Sequence, residues 1–550
     1  MKELTLHLPQ NTICTVPFGT KARELLDFFE KKDSEIVAVK INNELCSLSQ
    51  QLEINAQIEP IYLKTTEGSL VYRRTLCFIL GAAAHRLFPQ KRLLVGHSLG
   101  YGYYYTLETD SQITNDEILL LENEMRKLIA KDLPIEQSIV SYQEALELFE
   151  NLNLPEARKQ LRFKCPSKII LNNLDNFSDI YFHPLLDTTG IVKTFELLPY
   201  QKGFLLRFPT SKEPYQLTEF KDIPQLFQVY ENYKNWGKLL QVTSAASLNE
   251  LIYTKKIKDF INITETLQNK NLADIADKIK AKGSVKVVLI AGPSSSGKTT
   301  SSKKLAMQLQ VLGYNPKLIE LDSYYVNREF TPVDENGDFD YECLEALDVQ
   351  GLNQDLLDLF AGKEIQLPSY NFVEGKRYYT GKKIQLQEND ILIMEGIHGL
   401  NEKLTSQIPS ELKFKIYLSA LTQLNLDDHN RIATSDNRLI RRIVRDSQFR
   451  GKSAAETIAM WPSVQKGERL HIFPFQDKAD VMFNTALDYE LAILKLYATP
   501  LLQAVTPMEK EYSEACRLLQ FLDNFIALSE KNVPTQSLLR EFIGGSDFKY

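Results

Sequence analysis

The 550-residue sequence contains no C-x-x-C pair; its six cysteines (Cys14, Cys46, Cys77, Cys165, Cys343 and Cys516) are scattered along the chain. That spacing argues against a zinc ribbon or a disulfide framework and fits reduced thiols. No apolar run approaches the ~20 residues a membrane helix needs; the longest lies around residues 76–84. The opening stretch MKELTLHLPQ lacks the charged-then-apolar pattern of a signal segment. Internal repeats and low-complexity tracts are also missing. These absences lead to the expectation of a cytoplasmic protein with no membrane association. The 64 basic and 71 acidic side chains leave a net charge of −7, which argues against coating nucleic acid by charge alone and leaves room only for a local basic groove.

What is present falls into zones. Residues 1–65 alternate apolar and polar residues (LTLHLP, IVAVKINNELCSL, AQIEPIYL) around one amphipathic helix candidate, KARELLDFFEKK. A small strand-rich module is the economical reading. Residues 66–225 mix two helical stretches, DEILLLENEMRKLIAKD and YQEALELFENL, with aromatic strands such as GYGYYYTLE and GFLLRFP. Residues 226–280 read as a helical connector of mixed charge. From 281 to 550 strands and helices alternate, the pattern of a parallel sheet covered on both faces.

The stretch VVLIAGPSSSGKTTSSKKLA, starting at Val287, satisfies G-x-x-x-x-G-K-[ST] over Gly292 to Thr299. It has the required context of a strand before and a helix after. The glycines let backbone N–H groups turn toward phosphate oxygens, Lys298 can reach the β and γ phosphates, and Thr299 can ligate Mg²⁺. Asp322 ends a second apolar strand, KLIELD, and Glu395 a third, DILIME. Both acids thus fall at carboxyl ends of parallel strands, where open α/β sheets bind ligands. There Asp322 can accept a proton from an attacking hydroxyl, and Glu395 can hold Mg²⁺. Arg438, Arg441, Arg442 and Arg445 recur three and four apart, with Arg450 beyond them. They share one side of a helix, either as a lid over transferring phosphates or as a solvated basic face.

The ordered set GPSSSGKTT, LDSYY, DFDYECLEALD, AGKEIQLPSYNF, ILIMEGIHGL and RLIRRIVRD resembles the uridine kinase and phosphoribulokinase family over roughly 285–485. The resemblance implies an α/β P-loop kinase with Asp322 as general base, assisted by Lys298, Arg441 and Arg445. It implies nucleotide binding by Gly292, Ser294, Ser295, Ser296, Gly297, Lys298, Thr299, Thr300 and Arg442, and Mg²⁺ between Thr299 and Glu395. Asp340, Tyr370, Phe372 and Arg377 would meet the acceptor. Two departures concern specificity. Gly375 stands where uridine kinases carry a base-reading His, and LTQLNLDDHNRIATSD adds residues before the lid.

The N-terminal half carries a second resemblance. VPFGTKARELLDFF and AVKINNELCSLSQQL resemble a TGS domain, a small β-grasp module. HRLFPQKRLLVGHSLGYGYYYTLE and the helices after it resemble the second N-terminal, α+β domain of threonyl-tRNA synthetase. In that domain two histidines on a helix and a later C-x-x-x-H remove misattached serine. Here Arg74 and Phe78 occupy the histidine positions, Asp179 replaces the Cys, and only His183 remains. The resemblance therefore implies the fold without the editing chemistry. His85 reads as a helix-surface residue, and the Tyr101 to Tyr105 run as sheet packing in preference to a base-stacking platform.

The sequence thus leads to an ATP- or GTP-dependent, Mg²⁺-requiring kinase acting on a small-molecule hydroxyl, a nucleoside first among candidates. A sugar, polyol or other non-nucleoside acceptor is the nearest alternative, and an RNA-binding nucleotide switch the next. RNA or tRNA contact would fall to the N-terminal half. Homo-oligomerisation and the role of the C-terminal SLLREFIGGSDF, whose Gly544-Gly545 breaks a helix, stay open.

Overall fold

In the N-terminal alternation, Leu4, Leu6 and Leu8 face inward while their neighbours face out, which makes a half-buried strand. That strand, Glu3–Leu8, lies within a five-stranded sheet ordered Thr12–Pro17, Glu3–Leu8, Ala56–Tyr62, Ile36–Ile41, Glu44–Cys46. The expected amphipathic helix is instead a 3-10 helix over Ala22–Phe28. Only Ala22 and Leu25 of it are buried, three apart, which suits three residues per turn better than an α-helical stripe. The computed structural model describes residues 2–30, 34–108, 112–333, 337, 339–371 and 374–549. It separates into two units, the first holding residues 1–254, 423–433 and 499–527.

Beyond the first sheet, the long helix Thr66–Leu87 starts where the Thr65 hydroxyl accepts from the Gly68 amide at 3.0 Å. Gly68 is required there, because a Cβ would lie 2.2 Å from the Tyr62 carbonyl oxygen. The helix shares one core with a four-stranded sheet (Glu196–Tyr200, Gly203–Arg207, Gly102–Glu108, Arg92–Leu99) and a three-stranded one (Phe177–Asp179, Lys168–Leu174, Glu136–Ser141). Tyr104 and Tyr105 are buried in this unit, and Tyr103 meets Phe208 edge-on, so most of the tyrosine run is packing. His85 is half-buried against Phe177, where a surface position was expected, because the helix face carrying it turns toward that ring.

Residues 423–433, part of the insertion noted before the lid, are built into this first unit. Asp428 accepts from Arg92 at 2.5 Å and from the amides of Glu156 and Ala157, the first turn of the helix Pro155–Gln160. Asn430 donates to the Ile180 carbonyl at 2.9 Å. His429 Nδ1 shares a 2.7 Å hydrogen bond with Asp179. Both side chains of that pair are buried.

The second unit comprises residues 255–422, 434–498 and 528–550. It opens with α1 (Ile257–Lys282), whose Leu272, Ile275, Ala276 and Ile279 cover the sheet. The region read as a connector, 226–280, is therefore divided: residues up to 254 belong to the first unit, and 257–280 are a packed helix of this one. There follow β1 (Val287–Ala291), α2 (Lys298–Val311), β2 (Asn315–Glu320), β3 (Asp390–Glu395), β4 (Lys413–Ser419), α3 (Thr434–Arg450) and β5 (Val481–Asn484). The strands are all parallel, in the order β2-β3-β1-β4-β5. β1, buried along its length, is central and carries the P-loop at its carboxyl end. Among the described residues no helix is long and apolar enough to cross a membrane.

Candidate active site

The loop 292–297 turns sharply between β1 and α2. Gly292 has no room for a side chain, since a Cβ would sit 2.5 Å from the Leu418 carbonyl oxygen. Gly297 has φ +81°, and Ser295, at φ +57°, is held left-handed despite its Cβ. The Ser295 and Ser296 side chains are buried without a hydrogen-bond partner for their hydroxyls, so polar groups converge on the loop's interior. Lys298 Nζ donates back to the carbonyls of Gly292 and Pro293 at 3.1 and 3.3 Å. Thr299 Oγ1 donates to Glu395 Oε1 at 2.8 Å, joining the start of α2 to the end of β3.

Burial lifts the Glu395 carboxyl to about 7 against the pull of Lys298, and Asp322 adds to the lift. Asp322 stands two residues past β2, in the 3-10 turn Leu321–Tyr324, and is exposed. Lost hydration raises its pKa, while Lys298, Arg450 and Arg445 draw it back toward the ordinary value. Glu342 is pushed up to about 7 by burial and by Glu468. A hydroxyl and a carboxylate at the mouth of a P-loop are hard oxygen donors of the kind that hold Mg²⁺ together with substrate phosphates, so Thr299 and Glu395 fit that ion.

Helix α3 grips the same loop. Arg438 pairs with Glu468 (Nη2 to Oε2, 2.8 Å) and donates to the Ser294 carbonyl at 3.1 Å. Arg442 donates to Ser294 Oγ at 2.7 Å. Arg441 donates to the Ser295 carbonyl at 3.2 Å and to Glu490 at 2.6 Å. Buried Asp446 gathers Arg442, Arg445 and Arg450 at 3.2, 2.7 and 3.6 Å.

Residues 287–492 match the model of the Phosphoribulokinase / Uridine kinase family. The C-terminal half carries a domain of that family. The N-terminal half matches threonyl-tRNA synthetases. The threonine–tRNA ligase of Carboxydothermus hydrogenoformans is 27% identical over 199 residues, which is 36% of this chain and 31% of the relative. Threonine–tRNA ligase 2 of Bacillus subtilis is 29% identical over 205 residues, again 36% and 31%. The chain thus spans about a third of the length of these relatives. Among solved structures, a possible uridine kinase from Bacillus stearothermophilus aligns at 20% identity and a TM-score of 0.27, over 39% of this chain and 98% of that one.

Within the kinase-family domain the structure brings together Lys298, Thr299, Asp322, Glu395, Arg442 and Arg445. Other expected site residues have partners of their own. Arg441 is wholly buried and ion-paired with Glu490, which makes it an internal strut between α3 and the loop. Arg377 is bound to Asp348 at 2.6 Å, because that Asp caps the helix Val349–Phe360 and its second oxygen is left to pair. Asp340 accepts the Glu342 amide at 3.0 Å and so closes a local turn. Tyr370 packs against Tyr325, ring centroids 5.5 Å apart. Phe372 lies outside the described residues.

Three features went unread in the sequence. Tyr325 and Tyr341 form an aromatic wall beside Tyr370, although both stand in the motifs quoted above. Glu468, which accepts from the Ser294 amide at 3.0 Å, sits in no motif. Glu541, described below, lies 241 residues from the threonine it binds. Only the placement of the last within SLLREFIGG, a stretch with no assigned role, gave any signal.

Proposed function

We propose that the chain is a kinase that transfers the γ-phosphoryl group of ATP (or GTP) to a hydroxyl of a small molecule, a nucleoside being the first candidate. The observation that carries this reading is the convergence of Lys298, the Thr299–Glu395 pair and Asp322 on one P-loop. Lys298 exchanges its loop carbonyls for the nucleotide phosphates. Asp322 takes the acceptor's hydroxyl proton as the acceptor oxygen bonds to the γ-phosphorus and the bond from that phosphorus to the β–γ bridging oxygen breaks. Arg442 and Arg445 face the equatorial oxygens, where charge spreads in the transition state. Bound between Thr299 and Glu395, Mg²⁺ would supply charge neutralisation of the phosphates. Tyr341 and Tyr370, both half-buried and packed on the buried Tyr325, offer flat apolar surface suited to stacking a base.

Incubation with Mg-ATP and a mixture of nucleosides, sugars, polyols and other metabolites, read by mass spectrometry, tests the reading: one phosphorylated acceptor is expected. Tyr370→Ala should raise the KM for that acceptor by about tenfold, the cost of a lost stacking surface, with the KM for ATP unchanged. ATP hydrolysis that needs no acceptor and rises with tRNA would favour an RNA-binding switch instead.

One observation keeps a non-nucleoside acceptor in play. A Cβ at Gly375, φ +68°, would lie 2.6 Å from Arg328 Nε, so the guanidinium fills the space a base-reading side chain would need. Arg328 Nε also donates to the Tyr341 hydroxyl at 3.2 Å. A guanidinium there suits an acceptor carrying carbonyl or anionic oxygen.

A further inference from the structure

The C-terminal segment ends on the P-loop. Ser537, Leu539 and Phe542 are fully buried, Leu538 nearly so, and Arg540 ties the segment down by donating to the carbonyls of Glu530 and Val533 at 3.0 and 2.8 Å. Leu538 lies against Gly297, where a Cβ would come 2.6 Å from its Cδ1. The Phe542 ring lies 5.0 Å from the Arg441 guanidinium that holds the Ser295 carbonyl. Between these anchors Glu541, half-buried, accepts from the Thr300 amide at 3.1 Å and from the Thr300 hydroxyl at 2.6 Å.

Thr300 is the third residue of α2. Its N–H belongs to the first turn, which has no carbonyl partner within the helix. In a P-loop those amides, with the adjoining hydroxyls, receive nucleotide phosphate oxygens. A carboxylate and a phosphate cannot both take these two donors, and side by side they repel.

We propose that Glu541 is a built-in phosphate mimic: it holds the Thr300 donors until a nucleoside triphosphate displaces it. The segment thereby sets the nucleotide affinity of the P-loop. This inference rests on the nucleotide-binding reading above and adds a competitor at the same donors. Displacement needs only a rotamer change at Glu541, since Leu538 and Phe542 keep the backbone in place. The cost of that exchange appears as weaker apparent binding, in proportion to the fraction of time the donors are free.

Binding of a fluorescent ATP analogue with Mg²⁺ to the full chain, compared for wild type, E541Q, E541A and E541D, tests the proposal. E541Q keeps the shape and loses the charge, and both it and E541A should bind about tenfold more tightly. E541D keeps the charge but falls short of the donors, and should lie between them and wild type. Thermal melting checks that each variant folds; the isosteric E541Q carries the test should E541A fail. Equal or weaker binding by folded E541Q would overturn the proposal and make Glu541 a structural brace. No binding by any of the four, wild type included, would instead refute the nucleotide-binding reading on which it rests.

Discussion

Asp322→Asn is expected to lower kcat by about a thousandfold, the middle of the range for a positioned general base, while nucleotide affinity changes by less than about threefold. Asn preserves the side chain's size and still offers an oxygen to the acceptor, but it cannot take a proton. The wild-type carboxylate lies near Lys298, Arg445 and Arg450, so the substitution removes an anion from a cationic neighbourhood and does not create a buried void. The pH profile provides a second readout. Lost hydration raises the Asp322 pKa, so the active, ionised form should be lost on acidification above the ordinary carboxylate range, and kcat should fall there. In Asp322→Asn that acid limb should disappear. Unchanged turnover in a steady-state assay with the identified acceptor would remove Asp322 from the role of base.

His429→Ala should destabilise the first unit by about 3–5 kcal/mol, the usual cost of leaving half of a buried ion pair behind. In a unit of this size that is a drop in melting temperature of roughly 5–10 °C. The pair with Asp179 is enclosed, and Asp427 and Asp428 stand nearby, so removing the imidazole leaves three carboxylates around one cavity. Burial alone would lower the His429 pKa, but Asp179, Asp428 and Asp427 outweigh it and raise it above 6.5. The proton is therefore held more tightly in the folded chain. Its stabilising contribution is complete below about pH 6.5, the unfolded value, and is lost as pH rises through the higher folded value. Asp427, lifted to about 7 by burial and by Asp179 and Asp428, adds loss in the same direction at lower pH. Melting temperature should accordingly decline from pH 6.5 into the alkaline range, and His429→Asn should flatten the part above neutrality. A wild-type melting temperature that rose over that interval would contradict the protonated pair.

Much of the catalytic half was legible because its chemistry is local. The P-loop, Asp322 and Glu395 each lie at or just past the end of a strand, and parallel strands of one sheet end on one edge. Alternation and strand length were therefore enough to bring them together. The arginines show where such reasoning stops. Spacing put Arg438, Arg441, Arg442 and Arg445 on one helix side, but it could not say that Arg441 would be sealed against Glu490 while Arg445 stayed near Asp322. A periodicity marks a face and does not reveal what the face packs against.

The same limit governs the N-terminal half. The resemblance to the synthetase domain left only His183 of the four residues expected there. It could not pair Asp179 with His429, 250 residues away in a loop before α3. Nor could it give SLLREFIGGSDF a place, since Glu541 finds Thr300 only after the C-terminal segment has folded back on the P-loop. The sequence by itself determined the P-loop, the acidic residues at the strand ends and the order of the parts, because each depends on neighbours a few residues away. Tertiary structure alone decided which charges are neutralised and which donors are already occupied. Those outcomes depend on burial and on partners hundreds of residues distant, and no local pattern encodes them.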